Sequence, residues 1–161
     1  RRLHFHALDT VPTETNNGLR IPETMPDVAW TIKASAQDFK RFADRTSGKW
    51  SEAVGAYINR SPNRSIGVQA TPEGITVHWW YDKDRKGYME SFDVPFDRGS
   101  KTKLTGIPDV LDLAPKDAMP MFGGIASLPL ATNEVLLQGT KDGLYITCET
   151  DLAHHRCFLP A

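Results

Sequence analysis

Apolar positions follow two periods along the chain. From residue 36, AQDFKRFADRT places Ala36, Phe39, Phe42 and Ala43 on one stripe, the spacing of an amphipathic helix. Ser35 stands where an N-cap is needed and Asp38 at the third helical position, close to a capping box. Gly48 is placed to end this helix in a left-handed cap. KWSEAVGAYIN continues as a second helical stretch, weakened by Gly55. AWTIKA, residues 29–34, reads as a short strand ahead of the helix. Residues 65–71, 75–81 and 87–94 read as strands. Pro-Glu-Gly and the charged tip Asp-Lys-Asp-Arg-Lys-Gly separate them, so the three predict a β-meander.

The order then starts again. KTKLTG predicts a strand, and IPDVLDLAP a short helix with Pro108 in its first turn and Pro115 as its stop. MPMFGGIASLPLA reads as a packed loop. NEVLLQGT, GLYITCE and HHRCFLP give three more strands, joined by Lys-Asp-Gly and by a turn near residues 150–153. GVQATPEG and LLQGTKDG align Gln69, Thr71 and Gly74 with Gln138, Thr140 and Gly143. Asp38-Phe39 aligns with Asp109-Val110. The pattern predicts one unit built twice, as half-repeats 28–98 and 99–161 of a domain spanning 28–161. Ahead of it, residues 1–27 form an arm. RLHFHAL alternates as a strand with Leu3, Phe5 and Ala7 on one face, and residues 9–27 hold three prolines in a linker-like run. The fold class is α+β, with the two meanders paired edge to edge in a continuous sheet and both helices on one face. Free edge strands remain, to be covered or used.

Composition narrows the function. Across 161 residues the formal net charge is −1, which disfavours a free-standing nucleic-acid binder but leaves room for a local basic surface. Two cysteines are too few for a disulfide framework, which points to a reducing, cytoplasmic setting. No apolar run reaches the roughly 20 residues needed to span a bilayer, so no membrane partner is expected. The chain begins RRLHFH without an initiator Met, which suggests a processed chain or a fragment.

Strand, helix and three-stranded meander, twice over, resembles one domain of a DNA sliding clamp, the bacterial DNA polymerase III beta subunit in particular. TIKASAQDFKRFADRTSG, GVQATPEGITVHWWYDKDRKGYMESFDVP, LTGIPDVLDLAP and VLLQGTKDGLYITCETDLAHHRCFLP carry the resemblance, which covers residues 28–161. It implies a non-enzymatic processivity or assembly factor in DNA replication. Such domains join head to tail into a ring whose helices face double-stranded DNA and contact phosphates without reading sequence. It further implies a DNA polymerase or other replication protein as partner, and a homo-oligomer or membership of a larger chain. On the first helix Arg41, Arg45 and Lys49 are spaced i, i+4, i+8, with Lys40 beside them. Together with the tip residues Lys83, Arg85 and Lys86 they are the candidate DNA contacts. The second predicted helix departs from this pattern, with Asp109 and Asp112 and no base before Lys116.

Other constellations are weaker. His4, His6, Cys148, His154, His155 and Cys157 have the chemistry of soft metal ligands, but no C-x-x-C spacing supports a site. A hairpin centred near Asp151-Leu152 would set Leu144, Ile146 and Cys148 opposite His155, Cys157 and Leu159, a mostly apolar face that makes the cysteines core residues. No phosphate-binding glycine motif is present, and no cofactor, metal or catalytic residue is expected. HWWYDKDRKGY mixes aromatic and basic residues as single-strand binders do, yet equally suits a hairpin with a buried Trp. Two alternatives therefore accompany the clamp reading: a protein-interaction or regulatory domain that does not bind DNA, and a small His/Cys metal-dependent enzyme.

Overall fold

A computed structural model describes residues 6–7, 27–57, 65–80, 89–106 and 108–161, with 6–7, 49–57, 80 and 89 at the level of the backbone alone. Its elements run β1 (His6–Ala7), β2 (Val28–Ser35), α1 (Ala36–Tyr57), β3 (Ser65–Thr71), β4 (Gly74–Trp80) and β5 (Met89–Pro95). There follow β6 (Lys101–Leu104), β7 (Leu111–Leu113), α2 (Pro115–Ala126), β8 (Leu130–Thr140), β9 (Gly143–Thr150) and β10 (His154–Pro160). The charged tip with Lys83, Arg85 and Lys86 lies outside the described residues.

The α+β class stands, but its strands form two sheets where sequence led us to expect one. One sheet runs β1-β10-β9-β8-β2-β6 and the other β5-β4-β3-β7. No ladder joins the two meanders among the described residues. Instead, each meander takes in a strand from the opposite half. β2 pairs with β8 through Ile32 and Leu137, and β7 pairs with β3 through Leu111 and Val68. This exchange closes the inner edge of each meander, which would otherwise be open to association.

The helices also differ from expectation in extent. α1 passes through Gly48 without a break and joins the two predicted stretches into one helix of 22 residues. The second helix lies later than predicted. Leu111–Leu113 of the expected helix is strand β7, and the expected loop MPMFGGIA is helical. Pro115 begins this helix, where its missing N–H costs nothing, rather than stopping it. Buried Ala118, Met121, Phe122 and Ile125 supply the packing that carries the helix through Pro120 and Gly123-Gly124. Ile32 and Leu111 hold matching ladder positions, and each lies four residues before a helix. Asp38 therefore corresponds to Asp117 rather than to Asp109.

Packing follows the apolar faces. Phe42 and Phe122 meet with ring centroids 4.9 Å apart and Phe39 approaches Phe122 edge-on at 6.4 Å, which docks α1 on α2. Beneath them, Ile32, Val68, Val77, Trp79, Leu137 and Ile146 belong to one continuous core. The Cys148 face is as expected: Leu144, Ile146 and Cys148 stand opposite Leu159, Cys157 and His155.

Both hairpin turns repeat their contacts. Gly74 and Gly143 have φ of 156° and 152°, and a Cβ on either would strike a carbonyl oxygen, that of Val94 or that of Leu159. Beyond each turn the same backbone bond recurs, Phe96 N–H to Glu73 O and Ala161 N–H to Asp142 O.

Candidate nucleic-acid interface

The basic residues of α1 begin from its first turn. The Asp38 N–H donates to Ser35 Oγ at 3.2 Å, so Ser35 is the expected cap. The return bond of a capping box is relayed. Ser35 N–H donates to Ser100 Oγ at 2.9 Å, and that hydroxyl donates to Asp38 Oδ2. Asp38 is fully buried and also accepts from the Arg98 N–H at 2.9 Å. Its other oxygen accepts from Arg41 at 2.9 Å. A buried carboxylate with three donors is well satisfied and fixes the start of α1 to the segment between β5 and β6.

Arg41 is consequently held inward. Its guanidinium bridges Asp38 and Asp97, the latter at 3.0 Å, and donates to the carbonyl of Pro95. The hydrogen bond from Arg41 holds the Asp97 carboxyl below its ordinary range. One turn later, Arg45 donates to the Asp93 carbonyl at 2.8 Å, while its guanidinium lies 5.7 Å from the centre of the Phe92 ring. The predicted i, i+4 pair thus meets the backbone of β5. Arg45 remains exposed, as does Lys40, whose ammonium is paired with Asp44. Such an exposed i, i+4 pair contributes about 0.3–0.5 kcal/mol and opens readily. Lys49 lies further along α1, where the backbone alone is described. Lys83, Arg85 and Lys86 have no structural assignment.

On α2 the expected acidic face is absent. Asp109 and Asp112 precede it, in the loop and in β7, and α2 itself carries one exposed base, Lys116, beside Asp117. Its other exposed positions include Pro120 and Gly123, so the helix layer takes nearly all its charge from α1.

The soft-ligand constellation is divided. Cys148 and Cys157 are buried, and burial pushes their thiols up to about 11 and about 12. His154 pairs with Glu149 at 2.9 Å and His155 Nε2 with Thr150 Oγ1 at 3.1 Å. Among the described residues no group of three or more His, Cys, Asp or Glu side chains is arranged to hold a metal ion. His4 lies outside them.

Sequence reasoning named Arg41 and Arg45 but missed their partners. The acceptors are main-chain carbonyls of Asp93 and Pro95, about fifty residues away, and a carbonyl leaves no trace in residue type. Asp38 was readable as a cap residue; its burial under Ser100 and Arg98 was not.

No family model matches the sequence, and no curated protein does. Solved structures do. The proliferating cellular nuclear antigen of Entamoeba histolytica superposes over 89% of this chain with a TM-score of 0.52 at 10% identity. DNA polymerase III subunit beta of Borrelia burgdorferi superposes over 88% with a TM-score of 0.50 at 11% identity. The fold is that of the DNA sliding clamps. The chain spans 49% of the first of these clamps and 34% of the second. Among the described residues no helix is long and apolar enough to cross a membrane.

Proposed function

We propose that this chain is a non-enzymatic, sliding-clamp-like module that holds replication proteins on double-stranded DNA. The observation that carries the reading is the clamp fold combined with a helix, α1, whose exposed Lys40 and Arg45 lead toward Lys49. Non-specific phosphate contact needs no more than such cations at helical spacing. Lys40, Arg45 and Lys49, with Lys83, Arg85 and Lys86 of the tip, are the proposed contacts. Arg41 serves indirectly, since its guanidinium is engaged by Asp38, Asp97 and Pro95. The unit acts as a homo-oligomer or as part of a larger chain, in the cytoplasm, with a DNA polymerase or another replication protein as client. Half-repeats 28–98 and 99–161 are its building blocks, behind an arm at 1–27.

A second reading, a protein-interaction domain without DNA binding, is favoured by the near-neutral exposed face of α2. Retention on nicked circular duplex DNA at increasing salt separates the two. The clamp reading expects retention that falls steeply with salt and drops at least tenfold for Lys40→Glu with Lys49→Glu. Equal retention of wild type and variant at every salt concentration, or none by either, would favour the interaction domain.

A further inference from the structure

We propose that the sheet face turned away from the helices holds a second contact for duplex DNA, made by Lys33, Lys101 and Lys103 with phosphates alone. Ile32, Leu137 and Ile146 lie in the core, so the residues beside them in each strand point the other way. The register then fixes what shares that outer face. Lys101 stands opposite Lys33, and the row continues through Leu136 and Thr147 to Arg156. The next row begins Lys103, Thr31, Gln138 and ends at Tyr145 and Phe158. Four cations and no carboxylate occupy these two rows, in a chain whose formal net charge is −1. The described outer positions of the other sheet have the opposite sign, with Asp93 and Asp112 and neither Lys nor Arg.

Like charges directly across an antiparallel ladder repel. Lys33 and Lys101 face each other with both side chains exposed, and among the described residues no carboxylate pairs with either of them or with Lys103. An anion laid across the three removes that repulsion. The surroundings identify the anion. A protein partner is held by aromatic or Arg anchors at the centre of its interface, where Lys is depleted. Single-stranded nucleic acid stacks its bases on open aromatic rings. The candidates on this face are engaged with one another: Tyr145 is buried, its ring centroid lies 4.6 Å from that of Phe158, and the Arg156 guanidinium sits over it at 5.4 Å. The phosphate backbone of a duplex needs neither anchor nor ring, only exposed ammonium groups. The sheet and its core separate this face from α1, so it meets a different duplex segment from the one proposed for Lys40 and Lys49. The chain thereby bridges two segments, and the outer contact stands whether or not α1 meets DNA.

Fluorescence anisotropy of a labelled linear duplex, too short to be encircled and retained, tests this between about 50 and 200 mM salt. Lys33→Gln, Lys101→Gln and Lys103→Gln together should weaken binding roughly tenfold and reduce the slope of log affinity against log salt by about 3, without lowering the melting temperature. Acylation of exposed lysines read by mass spectrometry should show the duplex protecting Lys33, Lys101 and Lys103. That protection should persist in Lys40→Glu with Lys49→Glu, which separates this contact from the one on α1. The proposal is overturned if wild type binds no duplex, if the triple variant binds it as tightly as wild type, if a single strand of equal length loses more affinity than the duplex, or if protection falls only on other lysines. Loss of poly-glutamate binding with duplex binding intact would assign the face to an acidic protein instead.

Discussion

Gly139 and Trp30 compete for the same volume: a Cβ built on Gly139 would lie 2.1 Å from the Trp30 indole. They are ladder partners between β8 and β2, next to the irregularity at Val28. In the first hairpin the matching position is Ala70, where no such ring lies opposite. Gly139→Ala should therefore cost about 2 kcal/mol by overpacking. Trp30→Leu should relieve most of that loss, so the double variant will be more stable than the sum of the singles, as a thermal or urea double-mutant cycle would reveal.

Asp38 gives a second test. Asp38→Ala removes the buried acceptor of three donors, and Arg41 loses its inner partner. A loss of about 3 kcal/mol is expected from urea unfolding, because breaking a buried charge network leaves donors unsatisfied. Ser100→Ala breaks only the relay and should cost about 1 kcal/mol. Similar losses for both variants would mean that the carboxylate is not the anchor.

The equivalence of the hairpin turns is measurable too. Gly74→Ala and Gly143→Ala should lose comparable stability, about 2 kcal/mol each, since both sites combine positive φ with a carbonyl contact. A large loss at one and none at the other would argue against matched turns.

Cys148 and Cys157 should be silent toward thiol reagents at pH 8 in the folded protein and react only on unfolding. Their raised thiols also set a pH dependence. The unfolded chain releases thiol protons near 9, whereas the folded chain keeps them to about 11 and about 12. The folded state binds more protons in that window, so stability is whole below pH 9 and declines as pH rises toward 12. Replacing Cys157 by Ala should flatten that decline in alkaline melts.

Much of this molecule was legible in its residues, for reasons that also explain the gaps. Ser35 with Asp38 announced a helix start, Gly74 and Gly143 announced turns, and the Cys148 face followed from period-two spacing; each is a local signal. α2 was missed because Pro120 and Gly123-Gly124 contradict helix propensity, which buried Met121, Phe122 and Ile125 override. β7 has three residues, too few for a period. The second sheet escaped because nothing local in β2 or β7 says which meander it will join. Arg41 and Arg45 were correctly seen as a spaced pair, but the spacing of two cations fits a phosphate row and a row of strand carbonyls alike.

The strand exchange carries a consequence for how the chain can be divided. β2 completes the sheet of the second half, and β7 that of the first. Cleavage at the Gly99 bend would leave each fragment with a sheet lacking a member and a helix lacking its partner. Neither piece would then hold its shape alone, yet the two, mixed, would contain every complementary surface needed to rebuild the whole. In this respect the molecule behaves as an interlocked pair tied by a tether, and it is indivisible at the seam its sequence most visibly marks.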